Sequence, residues 1–241
     1  MFLNNIDLNG VLNLSDAIIV ENLSKRFGKH LIIDNLSFKI AQDDTVALFA
    51  PSGSGKTTLL SILANLDKNY TGSFYIKKPY SIVFQEARLF PYKSAYENII
   101  YPLKLNDIDI NENVSDNIKK WLDICDLKDF SNYYPYQLSG GMKAKIALIR
   151  AFIFNPSVIL LDEPFKSIDV QSKNKIIKFI KKEYKNLTIL LVTHNIDELP
   201  LISSRVLKFD SAPLSGFSNI TISKDDSLNS IIDKLYNGSQ V

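Results

Sequence analysis

The run Ala50-Pro51-Ser52-Gly53-Ser54-Gly55-Lys56-Thr57-Thr58 places glycines, hydroxyls and one lysine between an apolar run and a helical pattern. A glycine-rich turn leading from a strand into a helix is an anion site. Backbone N–H groups of the turn and of the helix N-terminus point at a common centre, where phosphate groups fit. Gly53 and Gly55 permit backbone conformations and close approaches that a side chain would obstruct. Pro51, Ser52, Gly53, Ser54, Gly55, Lys56, Thr57 and Thr58 are the expected phosphate-binding residues of a nucleotide site. Lys56 suits the outer phosphates, and the Thr57 hydroxyl suits a Mg²⁺ ion. Ala50 stands where the pattern usually has its first glycine, at a strand end where the demand for glycine is mild.

A second group of chemical interest is Leu160-Leu161-Asp162-Glu163-Pro164, two carboxylates at the end of an apolar run. In open parallel sheets, ligands bind beyond the C-terminal ends of the strands. Beside a phosphate loop, Asp162 is expected to hold Mg²⁺ and Glu163 to orient and deprotonate an attacking water.

The elements that position these groups follow from periodicity. Leu36 to Ile40 alternates apolar and polar residues and reads as a half-buried strand. Val46-Ala47-Leu48-Phe49, Val158-Ile159-Leu160-Leu161 and Thr188-Ile189-Leu190-Leu191-Val192 are continuous apolar runs, as expected of strands buried on both faces. Thr57 to Asn65 and Ser172 to Tyr184 read as helices. Strand, helix and strand in this order predict a parallel α/β sheet. Tyr92 to Arg150 is helical by pattern and predicts a second lobe. A further helix is expected at Ser227 to Leu235.

With 241 residues, the chain suits one large domain or two small lobes. Its formal net charge of +2 gives no sign of a nucleic-acid partner. Cys125 is the sole cysteine, and His30 and His194 are the only histidines, so an internal disulfide and a Cys- or His-rich metal centre are excluded. The N-terminus lacks a basic stretch followed by a long apolar run, so no signal peptide is expected. The apolar runs are too short to cross a bilayer, and any membrane role must come through a partner. The Lys-rich stretch from Lys173 to Lys185 reads as the solvated face of a helix.

Leu138-Ser139-Gly140-Gly141-Met142, opening a helix shortly before the acidic strand end, is by its own chemistry a helix cap or a second anion site. It resembles the signature motif of ATP-binding-cassette (ABC) ATPases, and other cassette elements follow in that family's order. Phe27 matches the aromatic that stacks on adenine. Gln85 matches the glutamine that senses Mg²⁺ and the attacking water. Asp169, in Ser167-Ile168-Asp169, matches the loop that crosses between partners, and His194 the switch histidine that contacts the γ-phosphate. Ala144, Lys166 and Asn195 depart from the usual residues without removing a catalytic group.

The resemblance implies an α/β fold: a P-loop NTPase core with a mainly parallel sheet, an N-terminal antiparallel β part and a helical subdomain. It assigns residues 17–215 to the ABC ATPase domain, with the helical subdomain at about 87–150. Residues 1–16 are then an extension and 216–241 a tail. It further implies ATP with Mg²⁺, and two cassettes paired head to tail, expected as a homodimer. Each ATP would lie between one phosphate loop and the Ser139, Gly140 and Gly141 segment of the partner.

The spacing from Lys56 to Asp162 leaves no room for the long coiled coil of chromosome-maintenance relatives. Val83-Phe84-Gln85-Glu86-Ala87-Arg88-Leu89-Phe90-Pro91 is similar to the nitrate/sulfonate/taurine-type importer subunits. This predicts a peripheral protein on the cytoplasmic face of the membrane, coupling ATP hydrolysis to permease subunits and, indirectly, to a solute-binding protein. The solute would be small and anionic or organic. Residues 86–99 would receive the permease, with Phe90 and Tyr92 either at that interface or buried in the helical lobe. The alternative is a soluble ABC ATPase that assembles or remodels a protein complex.

Overall fold

The computed structural model describes residues 15–223 and 225–237. The chain opens with two long strands, β1 (Asp16–Phe27) and β2 (His30–Ala41), followed by β3 (Thr45–Phe49) and α1 (Lys56–Leu63). Next come β4 (Thr71–Ile76), β5 (Tyr80–Val83), α2 (Ala95–Leu105), α3 (Glu112–Ile124) and α4 (Gly140–Ile153). The second half runs β6 (Val158–Asp162), α5 (Val170–Glu183), β7 (Thr188–Val192), α6 (Leu199–Ile202), β8 (Arg205–Lys208), β9 (Ser218–Thr221) and α7 (Leu228–Tyr236).

Two sheets result. One is antiparallel, in the order β2-β1-β4; the other has the order β5-β6-β7-β3-β8-β9. In the larger sheet every pairing is parallel except β8 with β9. The expected α/β fold with an antiparallel part is therefore present. The continuous apolar runs became β3, β6 and β7; β6 and β7 are buried throughout, and β3 at its three central residues. Leu36, Phe38 and Ile40 of β2 are buried while Ser37 and Lys39 are exposed, which is the alternation read from the sequence.

Apolar surface on the two sides of the larger sheet is covered differently. One core joins the antiparallel sheet and α1 to β3, β6 and β7 through Leu59, Ile62, Leu48, Leu160 and Leu190. The other joins α2, α3, α4 and α5 to the opposite side through Ile159, Leu161, Ile189 and Leu191. Alternate residues of β6 thus enter opposite cores, as the strand's two-residue period requires. Trp121 of α3 anchors the helical region. It is fully buried, its ring lies 5.1 Å from Phe152 and 4.8 Å from Phe179, and its indole N–H donates to the Tyr184 hydroxyl at 2.8 Å.

The end of the chain adds more than a tail. β9 pairs with β8, so the sheet continues past residue 215. The helix read at Ser227 to Leu235 is α7, capped by the Ser227 hydroxyl accepting from the Ser230 N–H. Ile231 and Leu235 of α7 pack with Ala47, Leu199 and Val206. Residues 1–14, which hold most of the expected extension, lie outside the described residues.

Candidate active site

The phosphate loop is a single turn between β3 and α1. Gly55 caps α1 with φ +103°, and a Cβ on it would lie 2.5 Å from Ile32 Cγ2, so only glycine fits. Gly55 supplies no capping side chain. The first N–H groups of α1 therefore remain available to an anion. The Ser54 hydroxyl is buried without a hydrogen-bond partner. The Lys56 ammonium donates to the carbonyls of Ala50 at 2.9 Å and Pro51 at 2.7 Å. Burial pushes its pKa down, against the opposing pull of Glu163 and Asp162. Ala50 is accommodated without difficulty: its φ is not in the positive region and its side chain joins the core. Its contribution to Lys56 is a backbone carbonyl, which any residue supplies.

Parallel pairing carries the acidic end of β6 to this loop. Asp162 is buried at the last position of β6, and Thr57 Oγ1 donates to its Oδ2 at 2.7 Å. Burial raises the Asp162 pKa, with the Glu163 charge acting in the same sense and the Thr57 hydrogen bond, Lys56 and Arg88 opposing it. Glu163 adopts φ +46°, and its N–H donates to Val192 O at 2.8 Å. A left-handed conformation at a non-glycine residue costs about 1–3 kcal/mol and here redirects the chain just beyond the strand. Glu163 Oε1 lies 2.9 Å from Nδ1 of His194, which follows β7. Its Oε2 has no hydrogen bond, and the Lys166 ammonium stands 3.5 Å away.

These groups suit a Mg²⁺–nucleotide. Thr57 and Asp162 place two hard oxygen donors side by side. Among the described residues no group of three or more His, Cys, Asp or Glu side chains could enclose a metal. Mg²⁺ characteristically takes one or two protein oxygens and completes its shell with water and substrate phosphates. The orphaned Ser54 hydroxyl and the uncapped helix are matching donors for phosphate oxygens.

The remaining sequence-read residues fall in three places. Gln85 is exposed two residues beyond β5, the neighbour of β6, so it stands on the same C-terminal edge of the sheet. Phe27 ends β1 opposite His30, half-exposed, with the Lys25 ammonium 4.6 Å from its ring centre. Ser139, Gly140, Gly141 and Asp169 form a separate group at the starts of α4 and α5. Ser139 Oγ accepts from the Met142 N–H at 3.2 Å, and Asp169 Oδ1 accepts from the Ser172 N–H at 2.8 Å. The hydrogen bonds from the Ser172 backbone and side chain hold the Asp169 pKa below its usual value. A Cβ on Gly141 would lie 2.7 Å from Ser167 O, so the two helix starts touch. Among the described residues no hydrogen bond or ion pair joins this group to residues 50–58.

Several contributing residues went unread in the sequence. Asn98 is fully buried and ties residues 90–94 together through its side-chain amide. An asparagine within the apolar face of a helix was the available signal. Arg88 lies over the Phe84 ring at 3.7 Å, and Arg150 donates to the carbonyls of Ala87 and Arg88. Lys166, noted only as a departure, is the cation beside Glu163. For the alternatives left open at Phe90 and Tyr92, Tyr92 is 92% exposed, whereas Phe90 is 41% exposed and packs its ring 4.4 Å from Tyr101.

Residues 33–166, from β2 through the acidic strand end, match the family described as ABC transporter. The chain belongs to the ABC transporter family. This cassette is 36% identical over 211 residues to the aliphatic sulfonates import ATP-binding protein SsuB of Bacillus thuringiensis, covering 82% of each chain. It is 36% identical to the Fe(3+) ions import ATP-binding protein FbpC of Escherichia coli O157:H7, covering 81% of this chain and 60% of that one. Its fold is similar to a dimeric post-hydrolysis state of the ATP-binding cassette MJ0796 bound to ADP and Pi. That match has a TM-score of 0.75 and 27% identity, and covers 85% of this chain and 98% of that one. Fold and family agree, and the chain is an ABC ATPase.

Proposed function

We propose that the cassette is the ATP-hydrolysing subunit of an importer for a small anionic or organic solute, with a sulfonate-like compound the leading class. The observation that carries its chemistry is the meeting of two pairs beside the phosphate loop, Thr57 with Asp162 and Glu163 with His194. Pro51, Ser52, Gly53, Ser54, Gly55, Lys56, Thr57 and Thr58 bind the phosphates, and Phe27 stacks on adenine with its exposed face. Thr57, Asp162 and Gln85 hold Mg²⁺, which when bound withdraws charge from the phosphate oxygens. Glu163 accepts a proton from the attacking water. His194, bonded to Glu163, orients that carboxylate and faces the γ-phosphate. Lys166 holds a positive charge close to Glu163.

The separation of Ser139, Gly140, Gly141 and Asp169 from the phosphate loop supports a second cassette as partner. Two copies related head to tail bring each group to the other's nucleotide. The composite site supplies the positioning and charge stabilisation that phosphoryl transfer needs. No helix among the described residues is long and apolar enough to cross a membrane. Separate permease subunits would dock on residues 86–99, where Tyr92 stands clear of the body. The solute-binding protein acts through that permease, and the cassette is peripheral on the cytoplasmic side. The relatives named for sulfonate and iron import support the importer reading.

The test is Glu163→Gln. Loss of the base is expected to lower turnover by about a hundredfold or more while ATP affinity is retained and a nucleotide-bound dimer accumulates. Near-normal turnover would refute the assignment. Failure of the chain to co-purify with its permease from detergent extracts would refute the importer reading separately.

A further inference from the structure

A buried polar cluster lies behind His194. Glu198 is 3% exposed. Its Oε1 accepts from the Lys173 ammonium at 3.1 Å and from Asn195 Nδ2 at 3.4 Å, and its Oε2 accepts from the Thr193 hydroxyl at 2.8 Å. Thr193 Oγ1 in turn accepts the Asn195 N–H at 3.0 Å. One carboxylate therefore grips both residues that flank His194. The imidazole itself is 62% exposed and its ring is bonded to Glu163. With so little packing around the ring, the position of its backbone decides where the ring stands.

The same carboxylate reaches toward the partner-facing group. Lys173 lies in the first turn of α5, and its N–H donates to Asp169 O at 2.9 Å. Ser172, beside it, accepts from the buried Lys145 ammonium of α4 at 2.8 Å. Thus α4, the 167–169 loop and the segment around His194 are joined by a short series of side-chain bonds. From behind, the turn Ile196–Glu198 is backed by α7 through the cluster of Leu199, Ile231 and Leu235. A buried ion pair adds little net stability, because desolvation offsets its attraction, but its hydrogen bonds restrict geometry.

We propose that Glu198, with Lys173, is a positioning residue: it sets His194 against Glu163 and links that placement to the 167–169 loop that a second cassette would press upon. The inference rests on the reading that His194 serves hydrolysis. Two substitutions probe it without leaving an unpaired buried charge. Thr193→Val removes at nearly constant shape both bonds of the Thr193 hydroxyl, to Glu198 and from the Asn195 N–H, and the double variant Lys173→Met/Glu198→Gln removes both charges together.

Both variants, as full chains with the native permease, are expected to lower kcat about tenfold or more, since small misplacements of catalytic groups carry penalties of that order. ATP affinity should stay within about twofold, because the phosphate loop is untouched. His30 and His194 are the only histidines, so an imidazole ¹H–¹⁵N spectrum reads them separately. The His194 signals should shift or broaden while those of His30 stay in place. Wild-type kcat in both variants, or unmoved His194 signals, overturns the inference. So does a fall in kcat matched by lost ATP affinity and a displaced His30, which indicates general damage. A His194→Ala arm separates the levels. An inactive His194→Ala beside unaffected variants refutes only the positioning role, whereas full turnover in His194→Ala refutes the role of His194 and the inference with it.

Discussion

Replacing Asn98 with alanine tests how the exposed loop before α2 is held. The Asn98 side chain is wholly buried. Its Oδ1 accepts the Phe90 N–H at 2.7 Å, and its Nδ2 lies 3.2 Å from Phe90 O, 3.0 Å from Lys93 O and 3.0 Å from Ser94 O. The Ser94 carbonyl also accepts the Asn98 N–H at 2.9 Å, so it loses least. Three remaining bonds at about 1 kcal/mol each give a cost of about 3 kcal/mol, with part of it from groups left buried and unpaired. Asn98→Asp should cost more. It retains an acceptor for Phe90, but it directs a carboxylate at three carbonyls in a buried site. Urea denaturation would read the cost as a lower midpoint, and amide exchange in residues 89–94 should accelerate. ATP binding by the isolated chain should persist, because the phosphate loop lies elsewhere, while hydrolysis stimulated by the permease should fall. A cost below about 0.5 kcal/mol with unchanged exchange, or an Asn98→Asp variant as stable as the parent, would refute the reasoning.

Three further outcomes follow from other parts of the molecule. Gly141→Ala should melt below Gly140→Ala, because a Cβ at 141 meets Ser167 O at 2.7 Å while one at 140 has nothing within 4 Å; equal melting temperatures would contradict the close approach of the two helix starts. Ser139→Arg and Lys56→Ala chains, each inactive alone, should recover hydrolysis when mixed, since one intact composite site can form; no recovery from demonstrated heterodimers would count against shared sites. Burial pushes the Cys125 thiol up to about 12. At pH 8 on the order of one thiol in ten thousand is thiolate. Cys125 should therefore resist a thiol reagent until the protein is unfolded in urea, and rapid labelling of the native chain would contradict its burial.

Much of the candidate site was legible in the sequence because its residues are neighbours in the chain. A loop that binds phosphate through backbone N–H groups needs glycine where φ is positive, so Gly53 and Gly55 advertise it. Asp162 and Glu163 were readable because β6 is an uninterrupted apolar run, and the first polar residues after it must lie at the sheet's edge. The helices read at 57–65, 172–184 and 227–235 match α1, α5 and α7 to within a few residues, since amphipathic spacing survives in each. The strand β9 was not readable. Ser218-Asn219-Ile220-Thr221 has too little apolar content to mark a strand by itself, and it forms one because β8 offers a free edge. Asn98 and Glu198 were missed for a related reason. Each is a polar residue whose partners come from the folded surroundings, and sequence period alone treats such residues as surface.

The sequence by itself determined the glycine-rich loop, the acidic strand end, the succession of strand, helix and strand from β6 through α5 to β7, and the family to which they belong. These are properties of neighbouring residues, set by backbone conformation and by which side chains must leave water. Only the tertiary structure decided that Thr57 meets Asp162 and that Glu163 meets His194, with Lys166 close by. It also leaves Ser139 and Gly141 at the touching starts of α4 and α5, with no hydrogen bond or ion pair, among the described residues, to residues 50–58. Those relations depend on the order β6-β7-β3 within the sheet. That order brings residues more than a hundred positions apart onto one edge, because parallel strands must be joined by long crossovers.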